Sequence, residues 1–434
     1  MKKIRIGLLG LGEIGSGVYS ILTQKKDYFA KEIGVDCEFA KIAVRNRSKK
    51  RKVQVPSSLI TTDSRSVVED PSVDVVVELI GGTKEAYQLV TQALKSGKHV
   101  VTANKALLAE KGDEIFELAA RMKKWVFFEA SVGGGIPVVK TLREGLVANE
   151  LTSLFAIING TSNYILTKMT TEGTDFKDAL KKAQEKGYAE SDPTLDLNGM
   201  DAAHKLAILI RFGFRGKVKL DDIYCEGIQR ISSEDIAFAN EFGYRIKLLA
   251  IAKKTPGGID ARVQPTLLPK DHILANVNGS FNAVLMHGDR VGDILLYGRG
   301  AGSYPTASAV VSDIVDIAKR YKRLEEESVI TMAASRRRLK IQGISSILAR
   351  YYLRLHVIDR PGVLAKIFQV LGSHKISVSD CMQQERRNGS AVPLIILTHG
   401  VNERAIRKAV NALDRLPVVS GKTQVIRIEE NGGE

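Results

Sequence analysis

Residues 4–24 read IRIGLLGLGEIGSGVYSILTQ, and the architecture of the N-terminal half follows from this run. Residues 4–9 form a short apolar segment of strand character. It leads directly into Gly10, Leu11, Gly12, Glu13, Ile14 and Gly15, the spacing GxGxxG, and then into a helical pattern that lasts to about Gln24. Glycines at these positions permit a tight turn and let a pyrophosphate approach the backbone at the helix N-terminus. A dinucleotide is therefore expected here. Glu13 is awkward, because a carboxylate aimed into that loop would repel the ligand. It either points to solvent or weakens cofactor binding.

Working outward, a second strand is expected over residues 37–44, ending at Arg45 and Arg47. An NAD-selective site usually carries Asp or Glu here, whereas arginines suit a 2′-phosphate. Asp36 precedes the strand and is misplaced for the ribose. NADP is the expected cofactor and NAD the alternative; a solvated basic turn is the plain structural reading. Further strands over 73–80, 98–102 and 126–130 alternate with helices such as 84–96 and 111–123, which predicts a Rossmann-type doubly wound parallel sheet. Ligands of such sheets bind at the carboxyl ends of strands. Gly81 and Lys105 lie on segments that emerge there, Lys105 on the nicotinamide side. Glu129 is followed by ASVGGGIP. One carboxylate beside accessible carbonyls suits a hard cation, and a glycine hinge is the simpler alternative.

The second half centres on residues 187–210, GYAESDPTLDLNGMDAAHKLAILI. Glu190, Asp192, Asp196 and Asp201 crowd its polar part. Asp201 and Lys205 stand at i,i+4 on one helix face, which continues through Ile208 and Phe212 and should point inward. A buried lysine must be paired or working. The expected use is a substrate pocket, with carboxylates for a cationic group and a lysine to move a proton. A surface Asp–Lys pair is the alternative. Around this segment an α+β domain is expected, with a strand at 151–158, a polar turn at 159–163 and strands at 245–252 and 260–265. A helix over 306–319 should return to the nucleotide domain. Residues 351–428 read as βαββαβ, a ferredoxin-like unit, with Asn388-Gly389 as a hairpin turn. The expected domains are 1–136 plus about 303–322, 137–302, a linker over 323–350, and 351–430.

The 434 residues carry a formal charge of +15. No nucleic-acid motif accompanies that charge, and attraction of phosphate-bearing small molecules accounts for it at least as well. No apolar run is long enough to cross a membrane, and the N-terminus lacks the marks of an export signal. Cys37, Cys225 and Cys381 are odd in number and far apart. A reducing, cytoplasmic setting is expected.

With these residues quoted, the chain resembles homoserine dehydrogenase over nearly its whole length. The likeness rests on GLGEIGSG, TANK, EASVGGGIP, NGTSNYIL, GYAESDPTLDLNGMDAAHK and YGRGAG, in family order. The C-terminal unit, with its DRPGVL turn, is similar to an ACT domain. The resemblance implies reversible NAD(P)-linked reduction of L-aspartate 4-semialdehyde to L-homoserine. It implies Lys205 as proton donor with Lys105 close by, Glu190 and Asp201 binding substrate, and Asp196 helping to hold its ammonium. It implies a sodium site at Glu129 with the carbonyls of Val132, Gly134 and Ile136, and places Gly187 and Gly302 at the cofactor edge. It further implies a homodimer or homotetramer with threonine as feedback inhibitor, or an ACT unit kept for assembly alone. Two positions depart from the family pattern: Glu13, where a small or hydroxylated residue is usual, and Arg299, where proline is common.

Three other readings compete. A semialdehyde dehydrogenase would need an activated cysteine near a base, and no cysteine here lies in such a motif. A nucleotide-sensing regulator would not need Lys105, Lys205, Glu190 and Asp201 together. A nucleic-acid-binding protein rests on net charge alone.

Overall fold

The computed structural model describes residues 3–321, 337–383 and 391–430. The first sheet holds β1 (Lys3–Leu9), β2 (Asp36–Ala43), β3 (Ile60–Thr61), β4 (Val75–Glu78), β5 (His99–Thr102) and β6 (Val126–Phe127). Their order is β3-β2-β1-β4-β5-β6, and every neighbour pair is parallel. The order reverses between β1 and β4, which opens a crevice at their carboxyl ends. β4 and β5 are buried at every residue because helices cover both faces of the sheet. Helix Glu13–Gln24 and the returning helix Ser303–Tyr321 lie on one face. Helices Lys84–Lys95 and Lys105–Arg121 lie on the other.

Two local expectations change. The helix expected to begin at residue 111 begins at Lys105, because the Asn104 side chain caps it by accepting from Leu107 N at 3.1 Å. The polar turn expected at 159–163 is the first turn of helix Gly160–Glu172, capped by Asn159, which accepts from Ser162 N at 2.7 Å. Small polar residues favour turns and N-caps alike, so their composition alone did not separate the two.

The second sheet comprises β7 (Leu151–Ile157), β8 (Tyr224–Cys225), β9 (Tyr244–Thr255), β10 (Gly258–Pro269), β11 (Phe281–Gly288), β12 (Gly292–Arg299), β13 (Leu348–Val357), β14 (Val378–Gln383), β15 (Val392–Thr398), β16 (Val401–Asn402) and β17 (Val419–Ile428). Its main path is β12-β11-β7-β9-β10-β17-β13-β15-β14, with β8 beside β10 and β16 beside β13. The last four strands of that path, with helices Val363–Ser373 and Glu403–Leu413, make the βαββαβ unit. Asn388-Gly389 lies outside the described residues.

This unit is not a loosely tethered module. β17 pairs in parallel with β10 at Thr266–Arg427 and Leu267–Ile428. Buried charges close the seam: Arg262 of β10 pairs with Glu429 and meets Asp260 at 3.0 Å, and Arg427 of β17 faces Glu226 at 3.4 Å. Within the unit Glu403 accepts from Arg427 Nε at 2.8 Å and Nη2 at 2.7 Å. Charges removed from water need such partners. Residues 337–342, expected within a linker, lie along the second domain. Lys217 N donates to Arg337 O at 2.9 Å and Ile259 N to Lys340 O at 2.8 Å. Residues 322–336 lie outside the described residues. No described helix is long and apolar enough to cross a membrane.

Candidate active site

The turn after β1 is shaped for close approach. Gly10 has φ +99°, and a Cβ there would lie 2.7 Å from the Leu79 carbonyl oxygen. A Cβ on Gly15 would lie 2.2 Å from the Gly10 carbonyl oxygen, so any larger residue would push the helix off the strand. Gly12 caps the helix with no side-chain hydrogen bond, which leaves the first N–H groups open to an anion. Leu11 and Ile14 pack into the core beneath the loop. Glu13 turns away: its carboxylate pairs with Lys52 Nζ at 2.7 Å, and both side chains are exposed. Beyond β2, Arg47 donates to the Ser57 carbonyl at 2.9 Å. Arg45 is exposed and unpaired among the described residues. Asp36 is the first residue of β2, at the end of the strand away from the crevice.

Glu78 ends β4, fully buried. It accepts from Ile80 N at 2.9 Å, Gly81 N at 3.3 Å and Thr102 Oγ1 at 2.6 Å. Burial raises its pKa, against these bonds. This one carboxyl group ties the loop after β4 to the end of β5. Asn104 adds a bond to the Gly82 carbonyl at 2.6 Å. Lys105 is thereby fixed at a helix start, facing the second domain.

There it meets Asp201. Lys105 Nζ is 2.8 Å from Asp201 Oδ1, and Lys205 Nζ is 2.7 Å from Oδ2. Asn159 Nδ2 donates to the same Oδ2 at 2.8 Å and to Asp196 Oδ1 at 2.7 Å. Lys205 also donates to the Ile158 carbonyl at 2.7 Å. Helix Met200–Gly213 carries Asp201 and Lys205, with Ile208 and Phe212 buried beneath. Asp201 is only 5% exposed. Burial opposes its charge, but Lys205 and Lys105 outweigh that and hold its pKa far down. Burial likewise opposes the charge on Lys105, and Asp201 outweighs it upward. Asp196 is pushed up by burial. Glu190 is exposed, and its charge reaches Lys105. Asp192 accepts from Thr194 N at 3.1 Å within its own turn.

Glu129 is buried, and its two oxygens accept from Val139 N at 2.8 Å and Lys140 N at 2.7 Å. Burial raises its pKa. The Ile136 carbonyl accepts from Val138 N at 2.8 Å, while those of Val132 and Gly134 accept no hydrogen bond among the described residues. Gly187 follows helix Phe176–Glu185, and Gly302 opens helix Ser303–Tyr321. Arg299 ends β12 with its side chain exposed, and its carbonyl accepts from Gly135 N at 3.3 Å. Burial pushes the Cys37 thiol up to about 12 and the Cys225 thiol up to about 11, which disfavours a thiolate nucleophile at either.

Residues 137–315 match the homoserine dehydrogenase family, residues 10–129 its NAD-binding domain and residues 351–418 the ACT domain. The chain is 44% identical, over 99% of its length and 100% of the relative's, to a homoserine dehydrogenase of Pseudomonas aeruginosa. A solved homoserine dehydrogenase from Thiobacillus denitrificans superposes with a TM-score of 0.94 at 45% identity, covering 99% of both chains. The chain belongs to the homoserine dehydrogenase family. It is an NAD(P)-dependent oxidoreductase with a C-terminal ACT domain. A hyperthermophilic archaeal homoserine dehydrogenase, solved in complex with NADPH, matches at 26% identity and a TM-score of 0.64, covering 76% of this chain and all of that one.

Within this homoserine dehydrogenase fold, two polar residues of the site escaped the sequence reading. Asn159 bridges Asp196 and Asp201, and Glu78 joins the loop after β4 to the end of β5. The Asn before Gly-Thr-Ser was a signal for a helix cap. Glu78 carried a fainter one, as a charge at the crevice end of the apolar run 75–77.

Proposed function

We propose that this chain interconverts L-aspartate 4-semialdehyde and L-homoserine, with Lys205 as the proton donor to the carbonyl oxygen. The observation that carries the reading is the pair of lysines, from two domains, on the single carboxylate of Asp201. A lysine ammonium has three N–H donors. Lys205 uses two, on Asp201 and the Ile158 carbonyl, and the third is free for the substrate oxygen. The nicotinamide supplies the hydride when bound. As negative charge develops on the substrate oxygen, Lys205 neutralises it by giving up a proton. Lys105, with one N–H on Asp201, keeps two to orient the same group. Asp196 has one oxygen not taken by Asn159, and a substrate ammonium there would offset its burial. Glu190, whose charge reaches Lys105, would bind substrate together with Asp201, which retains one acceptor site.

NADP is the proposed cofactor. The uncapped helix at Gly12, the loop from Gly10 to Gly15 and the unpaired Arg45 fit a pyrophosphate and a 2′-phosphate, with Arg47 beside them. Gly81, Lys105, Gly187 and Gly302 border the nicotinamide side. A monovalent cation, sodium, fits the Glu129 carboxylate with the carbonyls of Val132, Gly134 and Ile136; two of those carbonyls lack a donor, and all the ligands are hard oxygens. The ACT domain is proposed to sense threonine in a homodimer or homotetramer, with the domain limits given above.

Steady-state oxidation of L-homoserine at alkaline pH, with NADP and NAD side by side, tests the reading. Turnover that prefers NADP and is lost in Lys205→Ala is expected. Activity with NAD alone removes the argument from Arg45. No activity from folded, cofactor-bound protein removes the reaction.

A further inference from the structure

The ACT unit and the second domain enclose a cleft of about 790 Å³. One wall is helix Glu403–Leu413, on which Arg404, Arg407, Lys408 and Asn411 share a face at i, i+3, i+4 and i+7. The facing wall is the segment 224–230, which contributes Arg230 from the other domain. Of these four cations only Arg407 is paired, with Glu403 at 2.7 Å. Arg404, Lys408 and Arg230 make no ion pair and no side-chain hydrogen bond among the described residues. The carboxylates of the cleft are already engaged. Glu403 takes Arg407 and Arg427, and Glu226 accepts from Tyr224 Oη at 2.8 Å and faces Arg427 at 3.4 Å.

A charged helix face ordinarily looks into bulk water, where like charges are screened. This one looks onto a concave wall that brings a further cation against it. Such a cleft focuses potential and concentrates anions.

Its far wall touches the substrate segment. Ile228 N donates to the Leu197 carbonyl at 2.9 Å, and Cys225 Sγ to the Asn198 carbonyl at 3.3 Å. Asp196 immediately precedes these residues. The helix with Asp201 and Lys205 follows them, started by Met200 N on Asn198 Oδ1 at 2.9 Å. A shift of residues 224–228 therefore moves the backbone that carries the substrate carboxylates.

The geometry points to this cleft as a regulatory site for a small organic anion, bearing carboxylate or phosphate groups, coupled to the substrate pocket through Leu197 and Asn198. It is distinct from the turn Asp359–Gly362. That turn follows the end of β13, whereas Asn402 pairs with Leu348 at the start of β13, about 30 Å away along the strand. The anion site goes beyond the reaction proposed above, and its coupling rests on that reading of the substrate pocket.

The test is calorimetric titration of the full chain with inorganic phosphate and with citrate, at an ionic strength held constant by chloride. Saturable binding of at least one anion is expected. The double variant Arg404→Gln/Lys408→Gln, altered only at exposed positions, should bind at least tenfold more weakly. Lys366→Gln, on the other ACT helix, should bind as the wild type does. The preferred probe distinguishes phosphate from carboxylate. Saturating anion should also change KM for the amino-acid substrate at least twofold in the wild type and not in the double variant. No binding of either probe, or equal binding by both proteins, overturns the site. Binding with an unchanged KM overturns its coupling to the substrate pocket. The titration needs no turnover, so its failure is separate from failure of the proposed reaction.

Discussion

Lys105 Nζ lies 2.8 Å from Asp201 Oδ1, so a helix of the nucleotide-binding domain is pinned to helix Met200–Gly213 of the second domain. The contact joins two rigid elements rather than two loops. It fixes Lys105 relative to Lys205, which shares the same carboxylate at 2.7 Å.

The first prediction removes that charge. Asp201→Asn leaves two half-buried lysines facing each other without an anion between them. We expect kcat to fall by about 100-fold or more, with KM for the cofactor little changed. Because Asp201 raises Lys105 against the opposing effect of burial, the alkaline limb of the profile for semialdehyde reduction should move to lower pH. A pH–rate series on both proteins checks this, and an unmoved limb would separate Lys105 from the chemistry.

A second prediction concerns Glu13. An exposed pair such as Glu13–Lys52 contributes about 0–1 kcal/mol to stability, so Glu13→Ser should melt as the wild type does. The carboxylate does, however, offset the positive end of the helix at which a pyrophosphate would sit. Its removal, which also frees Lys52, should lower the cofactor KM by about two- to tenfold at low salt, less at high salt. A raised KM would instead make Glu13 a cofactor ligand.

The nucleotide half was legible because its signals are local. GxGxxG between a strand and a helix, and the apolar runs of β4 and β5, each follow from neighbouring residues. Asp201 and Lys205 were legible as a pair for the same reason, one turn apart on an inward face. The contact with Lys105 depends on how two domains dock, which no periodicity records. The seam between β10 and β17 was hidden likewise, since only two residue pairs join the sheets. Glu78 and the cap Asn159 left faint traces that turn-like composition masked.

Lys247 supplies a third prediction. It is 2% exposed and donates to the Val277 carbonyl at 2.6 Å, Asn163 Oδ1 at 3.3 Å and Asn278 Oδ1 at 3.2 Å, with no carboxylate beside it among the described residues. Burial, with a smaller contribution from Arg245, pushes its pKa down to about 7. Between that value and the ordinary lysine value of 10.5, the unfolded chain holds a proton that the folded chain does not. Stability must therefore rise with pH across this window, while below it the full cost of the buried charge remains. Relative to Lys247→Gln, the wild type should gain stability at up to about 1.4 kcal/mol per pH unit. Urea midpoints at neutral and alkaline pH would show this, and parallel curves would reject it.

The last prediction concerns the attachment of the ACT unit. Glu403 is 2% exposed and holds Arg427, itself 1% exposed, along with Tyr351 Oη at 2.7 Å. Replacing it by Gln leaves the buried guanidinium with only the more distant Glu226, at 3.4 Å, which costs about 3 kcal/mol. Two backbone pairs between β10 and β17 cannot offset that loss. The amides of β17 should then exchange with deuterium faster than in the wild type, while those of β4 and β5, in the separate nucleotide sheet, keep their protection. Faster exchange throughout the chain would mean general unfolding, and unchanged exchange in β17 would mean that the strand pairing and the Arg262–Glu429 and Arg427–Glu226 pairs hold the ACT unit without Glu403.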